Sequence, residues 1–136
     1  RQSRYIVDQQ QIRKKAATLL KALACPDAEL SILFVGKDEI ARLNQTYLDR
    51  SGPTNVISFP MREGPFSEVN PDLLGDLVIC PDTAEQEAEA AGMDVEHRID
   101  QLLIHGILHL FGYDHEPSAE MAAVMERKEK ELLALL

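Results

Sequence analysis

The sequence predicts a single α+β domain, in which about five helices pack on a small, mostly parallel mixed sheet of three to four strands. Helical and strand-like hydrophobic periodicities alternate along the chain, which is typical of layered structure. The length of 136 residues suits one domain, residues 1–136, with a core of its own. One helix near the end is apolar on most sides, so we expect a buried central helix.

The first third of the chain predicts a helix, a strand and a second helix. An apolar stripe predicts a helix from about Gln9 to Ala24, with Asp8 as its N-cap. Residues 30–35 alternate between a more apolar and a less apolar face, which indicates a strand. Asp38 is then expected to cap a short helix.

The middle of the chain predicts two strands separated by a loop. Residues 53–60 read as a strand bracketed by prolines, which suit a sheet edge because proline cannot donate to the ladder. Residues 61–73 are polar, contain one Gly and two Pro, and predict a loop that borders a site. Residues 74–80 form the next predicted strand.

Three further helices are predicted after these strands. A capping-box pattern at Asp82 opens an Ala/Glu-rich helix that Gly92 ends. The apolar helix follows from about Val95 to Phe111. Ser118 is expected to cap a last amphipathic helix that ends near Leu135.

Charge is distributed unevenly along the chain. The net charge is −9, which argues against nucleic acid as a partner. Residues 1–62, however, carry ten Lys/Arg against six Asp/Glu, whereas residues 63–136 carry four against seventeen. The basic half therefore permits contact with a phosphate backbone without predicting it.

Cysteine usage and hydropathy indicate a cytoplasmic protein. Cys25 and Cys80 are far apart and form no CxxC pair, so they fit reduced thiols of a cytosolic protein. No apolar run approaches the roughly 20 residues that span a bilayer, and the polar N-terminus lacks a secretory pattern. We expect no membrane association.

Three histidines at the end of the apolar helix predict a catalytic metal site. His105 and His109 are spaced i, i+4, which stacks their imidazoles on one helix face. Gly112 can end the helix and turn the chain, so that His115 approaches the same ion. Three protein ligands leave a tetrahedral zinc ion one open position for water. His97 lies outside this set and reads as a surface or helix-end histidine.

The segment from His105 to His115 resembles the YbeY family of bacterial endoribonucleases and rRNA-maturation factors. The family signature is His-Gly-x-Leu-His-Leu-x-Gly-Tyr-Asp-His, and every fixed position is present. The resemblance extends to residues 53–60 and 74–80, and so covers most of the chain in register.

This resemblance implies a single-domain fold with a zincin-like metal helix and one zinc ion per chain on His105, His109 and His115. It also implies cleavage of single-stranded RNA in 16S rRNA 3′ maturation and ribosome quality control. The expected partners are rRNA and the ribosomal subunit or ribosome-associated proteins, and no DNA.

Two other functions stay open at this point. A zincin-type metallopeptidase would need the glutamate that follows the first histidine in such enzymes, and Gly106 stands there. Met121 and Met125 read as packing residues rather than as the methionine turn of such peptidases. A non-catalytic ribosome assembly factor with a structural metal is the other alternative, because the acidic half suits protein contacts.

Arg50 and Asp114 are the candidate catalytic residues beside the ligands. Many family members have an arginine directly after the tyrosine that precedes the Pro-Thr-Asn block, whereas this chain has Leu48 there and Arg50 two residues on. Arginine suits phosphate because its planar fork donates two hydrogen bonds. Asp114 could orient a ligating histidine or simply form the turn. Asn55, Ser58 and Asp76 are polar strand residues to which no role is assigned.

Overall fold

The fold is built on one three-stranded mixed sheet. The computed structural model describes residues 6–61, 73–113 and 118–136. Within these residues the strands are β1 (Glu29–Phe34), β2 (Val56–Pro60) and β3 (Leu73–Ile79), in the order β1-β3-β2. β3 pairs in parallel with β1 and antiparallel with β2, so one of the two pairings is parallel. The predicted α+β class and mixed sheet are confirmed. The sheet is not mostly parallel as predicted, because the proline-flanked strand β2, which lies at an edge, pairs antiparallel with β3.

Five helices accompany the sheet in the described part of the chain. They are α1 (Gln9–Ala22), α2 (Lys37–Leu48), α3 (Pro81–Ala91), α4 (Val95–Leu110) and α5 (Ala119–Leu133). Their number agrees with the prediction, and each predicted boundary lies within about two residues of the observed one. The predicted loop over residues 61–73 falls almost entirely outside the described residues.

Two of the four predicted helix caps are correct. The Asp8 side chain accepts hydrogen bonds from the backbone N–H groups of Gln10 and Gln11. The Ser118 hydroxyl accepts the backbone N–H of Met121 at 3.1 Å. Both side chains satisfy N–H groups that have no partner within their own helix.

The predicted caps at Asp38 and Asp82 are wrong. The N-cap of α2 is Gly36 and that of α3 is Cys80, so both aspartates lie inside the first turn. There they still stabilise the helix, because a carboxylate near a helix N-terminus interacts favourably with the helix dipole. Pro81 occupies the first position of α3, where its fixed φ and missing N–H are tolerated.

Helices cover both faces of β3, and α4 is central to the larger core. On one face, Leu77 belongs to a cluster that includes Leu103 and Ile107 of α4. On the other face, Val78 packs with Ile40 of α2. The alternation of these side chains along β3 follows from the two-residue period of a strand. The predicted burial of the apolar helix is confirmed, since nine of its residues are buried.

An ion pair joins α1 to α4 at the edge of this core. The Lys15 ammonium donates hydrogen bonds to Asp100 at 2.8 Å and to Glu96 at 3.1 Å. Burial of Lys15 lowers the pKa of its ammonium, but the hydrogen bonds and charges of Asp100 and Glu96 outweigh it, so the pKa is raised. Asp100 is therefore a buried carboxylate with a partner, as burial of a charge requires.

A search of the described residues finds no helix with the length and apolar character needed to cross a membrane.

Candidate active site

The two predicted histidines of α4 meet at the surface of the central helix. His105 and His109 are half-buried, and their Nε2 atoms lie 3.0 Å apart. Their ring centroids are 4.5 Å apart and the rings are nearly perpendicular. The i, i+4 spacing thus brings both imidazoles to one point, as the sequence predicted.

Glu129 of α5 fixes the orientation of the first histidine. The Nδ1 atom of His105 lies 3.1 Å from Glu129 Oε2. An ionised carboxylate only accepts hydrogen bonds, so Nδ1 is the nitrogen that donates to Glu129. In a neutral ring this bond selects the tautomer with its proton on Nδ1. The lone pair is then on Nε2, the atom that faces His109. Sequence reasoning missed Glu129, because nothing local links it to a histidine 24 residues earlier.

Gly106 is explained by close packing between α4 and the sheet. A Cβ atom at this position would lie 2.6 Å from Cδ2 of Leu77 and 3.3 Å from a methyl carbon of Val56. The position following the first histidine therefore faces buried strands and not the histidine pair. A glutamate here would have no room, and it would point away from the site.

A cleft in front of the histidines has room for an extended ligand. It encloses about 1000 Å³ between β2, α4 and α5. Its walls carry the histidine pair and Glu129, together with basic side chains from three parts of the chain, Arg50, Arg98 and Lys130. A protein with a net charge of −9 therefore has a cleft in which three basic side chains stand beside the histidine pair, together with the carboxylates of Glu126 and Glu129.

A second groove, of about 580 Å³, lies between α1 and β1. Its lining is mostly aliphatic and contains no histidine, aspartate or glutamate. This groove offers neither metal ligands nor acid–base groups among its described residues, so the histidine cleft is the candidate active site.

Two polar residues of the β2 region make hydrogen bonds that join β2 and its preceding loop to neighbouring helices. The Ser58 hydroxyl donates to the backbone carbonyl of Gly106 at 3.0 Å and so ties β2 to the middle of α4. The Asn55 amide donates to both oxygens of Glu87, at 3.3 and 3.2 Å. Both residues line the cleft, although each already has a bond that holds the cleft wall together.

Of the other candidate residues from the sequence, some line the cleft, some are exposed elsewhere, and some lie outside the described residues. Arg50 and Leu48 are exposed at the cleft, so Arg50 is placed to meet a ligand there. His115 and Asp114 lie outside the described residues. His97 is exposed, as predicted, with its Nε2 atom 3.5 Å from the Gln101 amide nitrogen.

Three remaining polar or sulfur-containing residues do not line the histidine cleft. Asp76 is half-buried in β3, opposite Phe59 of β2, and does not line the cleft. Met125 is buried in the core, as predicted. Met121 is 42% exposed, which corrects its prediction as a packing residue.

The described residues fit part of a zinc site. Two nitrogens that share one tetrahedral ion at about 2.0–2.1 Å lie roughly 3.3 Å apart, close to the 3.0 Å between the histidine Nε2 atoms. A carboxylate on the remote nitrogen of a ligating histidine is also typical of such sites. Within residues 6–61, 73–113 and 118–136, no group of three His, Cys, Asp or Glu side chains can hold a metal ion. A third protein ligand would have to come from outside these residues, and the predicted one, His115, lies outside them.

The fold and the cleft define a class: a small α+β protein whose central helix presents paired histidines in an open, partly basic cleft. Comparison with known families assigns the chain within that class. The family model described as "Endoribonuclease YbeY" matches residues 1–136, and the chain belongs to this family. Its relatives are named endoribonucleases, which are hydrolases that act on RNA.

Individual relatives support the assignment along the whole chain. "Endoribonuclease YbeY" of Geobacter sulfurreducens is 51% identical over 137 residues, covering 100% of this chain and 91% of the relative. The protein of the same name from Syntrophus aciditrophicus is 48% identical, covering 99% of this chain and 85% of the relative. A solution structure of TM1509 from Thermotoga maritima matches with a TM-score of 0.67 and 31% identity, covering 91% of this chain and 77% of that one.

Proposed function

We propose that this chain is a zinc-dependent endoribonuclease that cleaves single-stranded RNA in 16S rRNA 3′ maturation and ribosome quality control. Family membership supports the reaction class. The observation that carries the metal proposal is the convergence of the His105 and His109 Nε2 atoms, with Glu129 on the far side of His105. The ligands would be these two histidines and His115, holding one ion per chain.

Each side chain of the cleft has a distinct task in this proposal. Zinc held by these histidines would supply Lewis acidity toward water or a phosphoryl oxygen. Glu129 keeps the His105 lone pair directed at the ion's position. Arg50 would donate hydrogen bonds to phosphoryl oxygens on which negative charge builds up during the reaction. Asp114 is proposed to orient a ligating histidine.

Packing at Gly106 argues against the peptidase alternative. The glutamate that a zincin peptidase uses as general base follows the first histidine directly. In this chain that position faces Leu77 and Val56, where even a methyl group would clash. Close packing at this position therefore excludes that general base. The basic residues of the cleft also suit a phosphodiester better than a peptide.

The proposed partners and location follow from the reaction. The substrate would be rRNA presented on a ribosomal subunit, with ribosome-associated proteins as partners in that setting, and neither DNA nor a membrane is proposed as a partner. Such a protein would act in the cytoplasm, where ribosomes are assembled.

Cleavage of a single-stranded 16S rRNA 3′ fragment by zinc-loaded protein tests the proposal. We expect cleavage by the wild type and none by His109→Ala, with circular dichroism showing that the variant is folded. Equal cleavage by both proteins would mean a contaminating nuclease and would remove support for RNA chemistry at this site. Cleavage by neither protein, on naked RNA or on ribosomal subunits, would favour a non-catalytic assembly factor.

The ends of the products identify the nucleophile. Attack by water leaves a linear phosphate, whereas attack by the neighbouring 2′-hydroxyl leaves a 2′,3′-cyclic phosphate. Mass spectrometry of the product ends distinguishes the two routes, and a substrate with 2′-deoxy substitution stays intact only in the second.

A further inference from the structure

We propose that Arg98, held in place by Glu87 and Gln101, is a second phosphate-binding site of the cleft, which grips the RNA backbone beside the scissile phosphate. The inference rests on the proposed RNA substrate and adds a binding residue to it. Arg98 is half-buried, belongs to α4 and lines the same cleft as the histidine pair.

Helical spacing places Arg98 in line with the histidines. It precedes His105 by seven residues, which is close to two turns, so both side chains project from the same face of α4. Seven residues correspond to about 10 Å along the helix axis at 1.5 Å each. Gln101, four residues before His105, lies between them and also lines the cleft. One stripe of α4 thus runs from the guanidinium to the metal-ligating pair.

Hydrogen bonds hold the guanidinium without using all its donors. Arg98 Nε donates to Glu87 Oε1 at 3.0 Å, and Nη1 donates to Gln101 Oε1 at 2.8 Å. A guanidinium has five N–H donors in a rigid plane. Among the described residues the remaining three make no hydrogen bond, and no buried polar side-chain atom there lacks a partner. The Nη2 nitrogen, which makes neither bond, is therefore not buried, and Arg98 lines the cleft.

Glu87 acts here as a positioning residue. It belongs to α3, and its Oε1 atom accepts from Arg98 Nε, while both of its carboxylate oxygens accept from the Asn55 amide. An arginine fixed in this way loses little conformational entropy when it binds, and its planar fork matches two phosphate oxygens. A phosphate lying beside the reacting one is the ligand that a fixed guanidinium in the cleft wall fits.

RNA binding measured against salt concentration tests the proposal. Fluorescence anisotropy would follow a labelled, 2′-O-methylated single-stranded RNA on zinc-loaded wild type, Arg98→Ala and Arg98→Lys. We expect Arg98→Ala to weaken binding about tenfold and to reduce the slope of log K against log salt by about 0.7, the value for one lost phosphate contact on a single strand. Arg98→Lys should keep the slope and lose part of the affinity, because lysine lacks the planar fork.

Arg42→Ala is the matched control. Arg42 is exposed on α2, pairs with Glu39 of its own helix and does not line the cleft. Removal of the same charge there should leave affinity and slope unchanged. Equal loss from both arginines would show a general effect of charge and would overturn a site at Arg98.

Glu87→Gln separates binding from structural bridging. If Arg98 only joins α3 to α4, Arg98→Ala and Glu87→Gln should lower the melting temperature alike and neither should change the slope, which would overturn the proposal. If Arg98 binds phosphate, Glu87→Gln keeps the slope while Arg98→Ala reduces it.

Cleavage kinetics distinguish a flanking contact from a reacting one. A contact made equally in the bound substrate and the transition state changes KM and leaves kcat unaltered. We expect Arg98→Ala to raise KM several-fold at unchanged kcat, and a fall in kcat alone would overturn the flanking assignment. Wild type that neither binds nor cleaves RNA would refute the proposed function itself. Wild type that binds and cleaves, with an Arg98→Ala variant identical to it, would refute only this inference.

Discussion

At the residue scale, a single carboxylate determines which nitrogen of His105 faces the cleft. Glu129 reaches Nδ1 from α5, so the lone pair of Nε2 is directed at His109. The side chain of Glu129 is itself about one-third exposed. We therefore expect the contact to orient the His105 ring and to contribute little to the stability of the core.

Glu129→Gln should therefore weaken zinc binding without unfolding the protein. Mutation of such outer partners of ligating histidines typically lowers metal affinity 10–100-fold, and we expect a loss in that range. Competition with a chromophoric chelator gives the affinity, and thermal denaturation followed by circular dichroism reports stability. Glu131→Gln removes the same charge from an exposed side chain of α5 and is the control. Equal affinities of the two variants would contradict the orienting role of Glu129.

Gly106 is a second single residue with a large local effect, which acts through packing against the sheet. Leu77 is fully buried, so its methyl group cannot move away freely from a new Cβ at 2.6 Å. Overpacking of a core typically costs about 1–3 kcal/mol, whereas replacing a helical glycine by alanine gains about 1 kcal/mol in helix propensity. We expect Gly106→Ala to lower the free energy of unfolding by about 1 kcal/mol, measured by urea denaturation.

A double-mutant cycle with Leu77→Val checks the cause of that loss. Shortening Leu77 removes the clashing methyl group, so the double variant should be less destabilised than the sum of the two single variants. Additive losses would mean that the clash is relieved elsewhere.

Sequence reasoning could predict the histidine pair but not the residues that position it. The i, i+4 spacing of His105 and His109 is a local signal, and the structure brings the two rings together. Glu129 and Glu87 reach their partners from other helices, and their positions follow from packing that no local pattern encodes. Arg98 was detectable in principle, because its seven-residue offset from His105 places it on the same face of one helix.

At the element scale, helix existence was easier to predict than helix starts. The pattern of an acidic residue before an apolar run suggested caps at Asp38 and Asp82, yet the N-caps of α2 and α3 both lie two residues earlier. Pro81 was the better signal for α3, because proline favours the first helical position. The order β1-β3-β2 was beyond prediction, since it depends on pairings between distant segments.

The contact between α1 and α4 supports a prediction about stability. Asp100→Asn leaves the Lys15 ammonium with Glu96 alone, whose side chain is 56% exposed. Hydrogen bonds to charged groups contribute about 1.5–3 kcal/mol, so we expect Asp100→Asn to cost about 2 kcal/mol in urea denaturation near neutral pH. Glu96→Gln should cost much less, because water competes for its exposed carboxylate. Equal destabilisation by the two substitutions would contradict the larger contribution of Asp100 to the ion pair.

The pH dependence of this contribution follows from the raised pKa of Lys15. Folding raises the pKa of the ammonium above its ordinary value of 10.5, so the stabilisation is fully present below that value. It is lost as pH rises through the folded-state pKa, where the ammonium deprotonates. The difference between wild type and Asp100→Asn should stay constant on the alkaline side of neutrality and shrink only above 10.5. A difference that shrinks below that value would contradict the raised pKa.

At the scale of the whole molecule, the charge balance of the cleft differs from that of the chain. The chain carries 23 acidic and 14 basic residues, whereas in its described part the cleft is lined by three basic side chains and two acidic ones, Glu126 and Glu129. Beyond a Debye length of about 10 Å at 0.1 M salt, the remaining acidic surface is screened from a bound strand. RNA affinity should therefore depend on the cleft and not on the net charge.

This arrangement predicts a shallow salt dependence for RNA binding. Each phosphate neutralised on a single strand contributes about −0.7 to the slope of log K against log salt, so Arg50, Arg98 and Lys130 together give about −2. Anisotropy titrations of wild type between about 50 and 200 mM salt measure the slope. Lys14→Ala, on the exposed side of α1 away from the cleft, should leave it unchanged. A slope steeper than about −4, or one reduced by Lys14→Ala, would mean that the strand also follows the basic surface of α1, which would place the RNA path outside the cleft.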